Sequence, residues 1–439
     1  MHHAPASFLH ALDEAPIGAA HRRLFAIVGV GLMVDSFDIF IASGIFSALL
    51  HERMANLTEL SQLAAATALG LALGALIGGV VADRFGRRLT ILGGAVVVTI
   101  GAFASMAAPD LQALIVTRGV TAFGLGIENV LAYGILIEFL PRRMRGTGMT
   151  ALALFATCAA PLSLILSYYI APSPGGWRLL FGFVAASSAA ILLMRFSLPE
   201  SARWLATRGR LDEARTIVMR FAPKLDEATS AKVADSPATP SSAPAHVSVE
   251  FVTRLCVAAL LNVGLAASSF GFLSWLPTFF ASEGRALPSA LLSAAALNVG
   301  APIGVLIGLV AADRGERKWT TVMAALAASA AGFAYGLAPA SMLLPLGFCV
   351  VVAIFAFGAL GVSAYMPELF PTPIRMRAVG LAISIGRFAA VVIPLVTVFV
   401  FERSGQAGVV WVLAATLVVV AFAVARFGVR TSAKSLDMI

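Results

Sequence analysis

Five ionisable residues lie inside long apolar runs. They are Asp35 and Asp38 in LMVDSFDIF, Arg118 and Glu128 in RGVTAFGLGIE, and Arg387 in AISIGRFAAVVIP. A charge in the middle of a bilayer costs about 2.5–3.5 kcal/mol on insertion scales, so each needs a partner or a task. Asp35 and Asp38, three residues apart, project to neighbouring faces of one helix. Two carboxylates this close in a low-dielectric medium cannot both ionise cheaply, so one is expected to hold a proton. That is the property a proton-coupling group needs. The alternative is a hydrogen-bonded pair that braces helix packing. Arg118 and Arg387 are the cations available to a carboxylate, either one of the chain's own or one on a small molecule. Glu128 fits a proton-coupling or a packing role equally well. Among uncharged candidates, Tyr133, Asn262 and Trp275 can hydrogen-bond or stack on a ring, although polar residues in such runs also serve as glue between helices.

These residues need a membrane to position them. Of the 439 residues 59% are hydrophobic and 12% charged, and the mean hydropathy is +0.91. One soluble core cannot bury that much apolar surface. At about 20 residues per crossing, twelve spans are expected. The first six fall near 24–49, 61–82, 89–108, 111–139, 148–170 and 178–196. The second six fall near 255–281, 289–312, 319–338, 341–366, 378–401 and 408–427. This is an all-α integral membrane fold. The first span is too long for a cleavable leader and reads as an uncleaved anchor. Cys158, Cys256 and Cys349 all lie inside apolar runs and read as reduced packing residues.

Charge between the spans follows a repeat. GGVVADRFGRR, with Asp83, Arg84, Arg87 and Arg88, follows the second span. Its counterpart DRGERK begins at Asp313, 230 residues later. Glu138-x-x-Pro141-x-x-x-Arg145 returns as Glu368-x-x-Pro371-x-x-x-Arg375, again 230 residues later. Two unrelated motifs at one spacing indicate a duplication, and a duplicated set of membrane helices points to a transporter with its site between the halves. The expected division is a tail (1–23), a six-helix bundle (24–196), a linker (197–253), a second bundle (254–428) and a tail (429–439). In the linker, Ser197–Ala222 is amphipathic and Pro223–His246 is a Pro/Ser/Ala-rich tether. The basic loops cluster on one side, which places that side and both termini in the cytoplasm. The net charge of +8 is therefore a topology signal rather than a nucleic-acid footprint.

The motifs resemble those of the major facilitator superfamily. Gly79-x-x-x-Asp83-Arg84-x-Gly86-Arg87-Arg88 is similar to its signature between helices 2 and 3, and Arg118 with Gly124 and Gly126 to its helix-4 motif. Pro199-Glu200-Ser201-Ala202-Arg203-Trp204-Leu205 and Pro367-Glu368-Leu369-Phe370-Pro371-Thr372 resemble two stretches of the sugar-porter-like branch. Asp35-x-x-Asp38 resembles the helix-1 signature of the aromatic acid:proton symporters, with Ser36 in place of a glycine. Departures are Ala202 for a proline, Ala122 for a glycine, and Glu316 where the first half has Gly86. The resemblance implies twelve helices in two pseudo-symmetric halves, with the first and fourth adjoining. By depth, Asp38 then approaches Arg118 and Asp35 approaches Glu128. It implies a cytoplasmic gate of Asp83, Arg84, Arg87, Glu138, Arg145, Glu200, Arg203, Asp313, Arg314, Glu368 and Arg375, with Asp83 meeting the eleventh span near Ala378.

The function implied is proton-coupled symport of a small organic anion, an aromatic or other carboxylate, by alternating access in the inner (plasma) membrane. In that reading Asp35, Asp38 and Glu128 carry the proton. Arg118, Arg387, Tyr133, Asn262 and Trp275 meet the substrate. The expected partners are the substrate, protons and lipid, without nucleic acid, around a monomer that needs no cofactor or metal. A proton-coupled sugar or polyol transporter is the alternative, and a drug exporter follows it. No phosphate loop, zinc spacing or Ser–His–Asp arrangement argues for an enzyme.

Overall fold

The computed structural model describes residues 10–223, 249–282, 284–312, 315–370 and 374–430. Among them the chain is helical throughout, without a strand. The first six spans are Ala19–His51, Leu57–Phe85, Arg87–Met106, Leu111–Phe139, Arg145–Ile170 and Gly176–Arg195. The seventh and eighth are Val249–Ser282 and Leu287–Ala312. The ninth is Arg317–Gly336 and the tenth Ala340–Glu368. The expected eleventh and twelfth are one helical run, Arg375–Phe427, turned at Gly405 (φ 63°, ψ −167°). Ordered pairs of spans thus follow the expected series, and the first helix begins five residues before the expected Leu24.

Local sequence sets the helix ends. The second span opens on a reciprocal cap. The Asn56 side chain accepts from the Glu59 N–H at 2.9 Å, and Glu59 accepts from the Asn56 N–H at 2.9 Å. Asp110 caps the fourth span by accepting from the Ala113 N–H at 2.8 Å. The turn between the second and third spans uses Gly86 at φ 101°, a conformation that disfavours side chains. The space a side chain would need holds the Glu200 carboxylate. Glu200 accepts from the Arg87 and Arg88 N–H groups at 2.8 and 3.2 Å, so a carboxylate faces the positive end of a helix. Glu200→Ala is expected to lower stability by about 1 kcal/mol, read as a fall in the thermal unfolding midpoint of purified protein.

The short helices after the sixth span, Ala202–Thr207 and Leu211–Phe221, lie against the basic face of the first half. Leu205, Ala214, Val218 and Phe221 are buried there together with Leu12 and Phe139, and Phe221 meets Phe139 at 4.6 Å and His21 at 5.1 Å. Leu211, an apolar residue of the same amphipathic stretch, is exposed at the start of its helix. Cys256 and Cys349 also differ from expectation. They are exposed on the outer surface of their helices rather than packed inside.

The two halves meet along the second and eleventh spans and along the fifth and eighth. At the face opposite the basic loops they close tightly. Ser47 and Thr278 share a hydrogen bond across the halves at 3.2 Å. Phe46 meets Trp275 at 5.5 Å, Trp275 stacks on Phe279, and Phe279 stacks on Phe401 at 4.2 Å.

Candidate functional site: a buried charge cluster and an arginine between the halves

The intramembrane charges of the first half form one cluster on the first, fourth and sixth spans. Asp35, Asp38, Arg118, Glu128 and Arg195 are each at most 3% exposed. An Arg118 Nη1–H donates to Asp38 Oδ1 at 2.7 Å, and the Phe181 ring lies 5.3 Å from its guanidinium. On the side of the cluster nearer the basic face, Arg195 Nη2–H donates to Asp35 Oδ2 at 3.1 Å. Arg195 Nη1 pairs with Glu128 Oε2. Asp35 and Glu128 interact with each other as well.

Backbone shape makes room for this. A side chain on Gly31 of the first span would place its Cβ 2.6 Å from Arg195 Nη2. Glycine at that position lets the guanidinium lie flat against the first helix. On the fourth span, Gly126 fits against the backbone of Leu71 in the second, and Gly124 against that of Gly94 in the third. The glycines after Arg118 therefore let three helices approach closely and hold its carboxylate partners at fixed depth.

The expected approach of Asp38 to Arg118 is present. The expected approach of Asp35 to Glu128 is present too, but through Arg195, which sequence reasoning did not single out. Arg195 ends the sixth span and reads as one more boundary cation. Its signal was arithmetic: three carboxylates in apolar runs of the first half against one arginine.

Arg118 is not placed to meet a substrate in this state. It is sealed between Asp38 and Phe181, because helices 1, 4 and 6 converge on it. Trp275 also departs from expectation. The seventh span passes through a π-helical turn at Ala267–Phe272 and a 3-10 turn at Leu273–Trp275, which carries the indole into the aromatic seal, fully buried.

The second centre lies between the halves. Arg387, half-buried on the eleventh span, reaches the first half, where Nη2–H donates to Asn129 Oδ1 at 3.0 Å and Nη1–H to the Leu71 carbonyl at 3.4 Å. Tyr133, one turn beyond Asn129, lies within its electrostatic reach. Among the described residues no carboxylate pairs with Arg387. Gly386 packs against Asn262 of the seventh span, and the Asn262 amide donates to the Ala258 carbonyl at 2.9 Å. Asn262 thus packs on the residue next to Arg387 with its amide held within its own half, whereas Arg118 and Trp275 lie away from this centre.

At the basic face, Arg87 pairs with Glu138 at 3.2 Å and with Asp83 at 3.0 Å. The counterpart 230 residues on is the Arg317–Glu368 pair. Each pair lies within one half. Asp83 was expected to meet the eleventh span near Ala378. Its carboxylate is 76% exposed and turned to Arg87 across the Gly86 turn, while Trp204 and Arg208 donate to its carbonyl. The Arg84 guanidinium lies over Phe85, and Arg203 pairs with Asp13 at 2.9 Å. Glu200 is a helix cap rather than a member of an arginine pair. Asp313 and Arg314 lie outside the described residues, as do the side chains of Arg145 and Arg375.

Twelve helices in two related halves, with ionisable groups buried in one and an arginine reaching from the other, define a membrane transporter of the major facilitator superfamily. Residues 37–439 match the family described as "Sugar (and other) transporter", and the chain belongs to that family. It is 26% identical to the niacin transporter NiaP of Acinetobacter baylyi, over 98% of both chains. It is 25% identical to the inner membrane metabolite transport protein YdjE of Escherichia coli, over 98% of this chain and 97% of that one. The xylose transporter XylE from E. coli, in a partially occluded inward-open conformation, superposes with a TM-score of 0.78 at 19% identity. The match covers 95% of this chain and all of XylE.

Proposed function

We propose that the protein is a proton-coupled symporter that brings a small organic anion, an aromatic or other carboxylate, into the cell. The observation that carries this reading is Arg387. A guanidinium between the halves, hydrogen-bonded among the described residues to neutral oxygens only, offers its charge to an anion that arrives from outside the protein. Tyr133 lies within reach of its charge and can orient a ring or a carboxylate, and Asn262 packs on the adjacent Gly386. The niacin transporter among the relatives supports a substrate of this size and charge.

In the same reading the basic face is cytoplasmic, both termini lie there, and the protein works as a monomer in the inner membrane. The seal of Phe46, Trp275 and Phe279 closes the outer face. The Arg87–Glu138 and Arg317–Glu368 pairs hold each half rigid while the halves rock about Arg387. Asp38 receives a proton, releases Arg118 and so links the first half's helices to the proton gradient.

A neutral sugar or polyol is the second reading. It draws on the family description and on the neutral hydrogen-bonding groups Asn129 and Tyr133 beside Arg387, with Asn262 on the adjacent Gly386. Uptake into proteoliposomes under an inward proton gradient separates the two, with nicotinate, benzoate and xylose as probes. The anion reading expects uptake of an acid, with KM raised about 10- to 100-fold in Arg387→Gln, equivalent to a charged hydrogen bond of about 1.5–3 kcal/mol. Xylose uptake without acid uptake would replace it with the sugar reading.

A further inference from the structure

The buried cluster contains three carboxylates and two guanidiniums, and its two layers differ in balance. The outer layer, Asp38 with Arg118, is one anion and one cation. The inner layer is Arg195 between Asp35 and Glu128, one cation for two carboxyl groups. All five are buried, and the cost of an uncompensated charge in such a place is several kcal/mol. Among the described residues no N–H or O–H donates to Glu128 Oε1, which is buried, and the neighbour of this carboxyl besides Arg195 is the Asp35 carboxyl, so a proton between the two relieves the contact of like charges. Asp38 Oδ2 also lacks a donor among the described residues, so the layers differ in their charge ratio: Asp38 has a guanidinium to itself, whereas Asp35 and Glu128 share one.

We propose that Arg195 builds a second proton station, in which the Asp35–Glu128 pair holds one proton while the Asp38–Arg118 pair is closed and charged. The proposal rests on the proton-coupled reading and extends it. Arg195 is a positioning residue, and it sets how many protons the inner layer keeps. The proton sits as an O–H on one carboxyl of the pair and is shared with the other. When Asp38 takes a proton and frees Arg118, the cluster gains a positive charge, and the inner proton is then the one expelled. The groups that face the pair are Asp38 on the first span, Arg118 on the fourth and Arg195 on the sixth. The third span presents Gly94, next to Glu128.

Infrared spectroscopy of the protein in liposomes at neutral pH, without substrate, tests this directly. The carbonyl stretch of a protonated, water-excluded carboxyl is separate from that of a carboxylate, and isotope labelling of Asp or Glu assigns it. The wild type is expected to show one such group. Glu128→Gln removes it, Arg195→Met doubles it, and Arg195→Lys returns it to one. Removing the outer pair as a unit, Asp38→Asn with Arg118→Gln, leaves it in place. No protonated carboxyl in the wild type overturns the proposal. So does a signal that survives Glu128→Gln and vanishes with the outer pair. Because no substrate is present, a negative result here is distinct from a failure of uptake, which would strike the transport reading instead.

Discussion

Arg118→Leu is expected to lower the unfolding free energy of the purified protein by about 3–5 kcal/mol, and adding Asp38→Asn is expected to restore most of the loss. The size of the effect comes from what is left behind. Asp38 is 1% exposed, and Arg118 is its guanidinium partner at 2.7 Å. Without Arg118 the carboxylate must stay ionised in an apolar setting or bind a proton. Asn at the same position has no charge to strand. The sign with pH follows: the single mutant's deficit shrinks as pH falls, since a protonated Asp38 needs no cation. Thermal unfolding of wild type, both single mutants and the double mutant at two pH values measures this. Equal, additive losses would show that Arg118 acts through packing on Phe181 and not through the ion pair.

The second large effect concerns work rather than stability. In proteoliposomes loaded to hold an inward proton gradient, Asp38→Asn is expected to abolish accumulation of whichever probe the wild type takes up. Accumulation falls to the level of protein-free vesicles. Exchange of labelled for unlabelled probe at equal pH is expected to continue, because the proposed rocking of the halves does not itself need Asp38. A mutant that exchanges without accumulating has lost the link between proton and substrate alone. Accumulation that survives in Asp38→Asn would transfer the coupling role to Asp35 or Glu128. Loss of both activities, with a normal unfolding midpoint, would show that Asp38 is needed for the rocking itself.

Much of this architecture is legible in the sequence because lipid narrows the options. A backbone in hydrocarbon must satisfy its own hydrogen bonds, so each apolar run becomes a helix and each basic turn marks a side. The Asp38–Arg118 pair was legible once the resemblance implied that the first and fourth helices adjoin, since depth along two adjoining helices then decides which charges can meet. Arg195 was hidden by its position at the end of a span, where arginines are ordinary. Only the three-dimensional convergence of Gly31, Asp35 and Glu128 shows that it turns inward. Trp275 was misplaced for another reason. Its direction depends on a π-turn followed by a 3-10 turn, and a local change of helical period reorients every side chain beyond it. Asp83 shows the limit of a motif, which names the residue and leaves its partner to the state the protein occupies.

The 230-residue repeat has one further consequence. Counting forward by that interval, Asp35, Asp38, Arg118, Glu128 and Arg195 fall on Leu265, Ser268, Phe348, Gly358 and Ala425. None of these five positions in the second half is charged. Two of these positions, Ser268 and Gly358, lie in the π-helical turns Ala267–Phe272 and Gly358–Tyr365. At these depths the first half carries a buried ionic cluster, and the second half carries uncharged residues, two of them in turns of altered helical period. In the proposed cycle, this asymmetry would let an otherwise two-fold machine answer protons through one half and change helical period in the other.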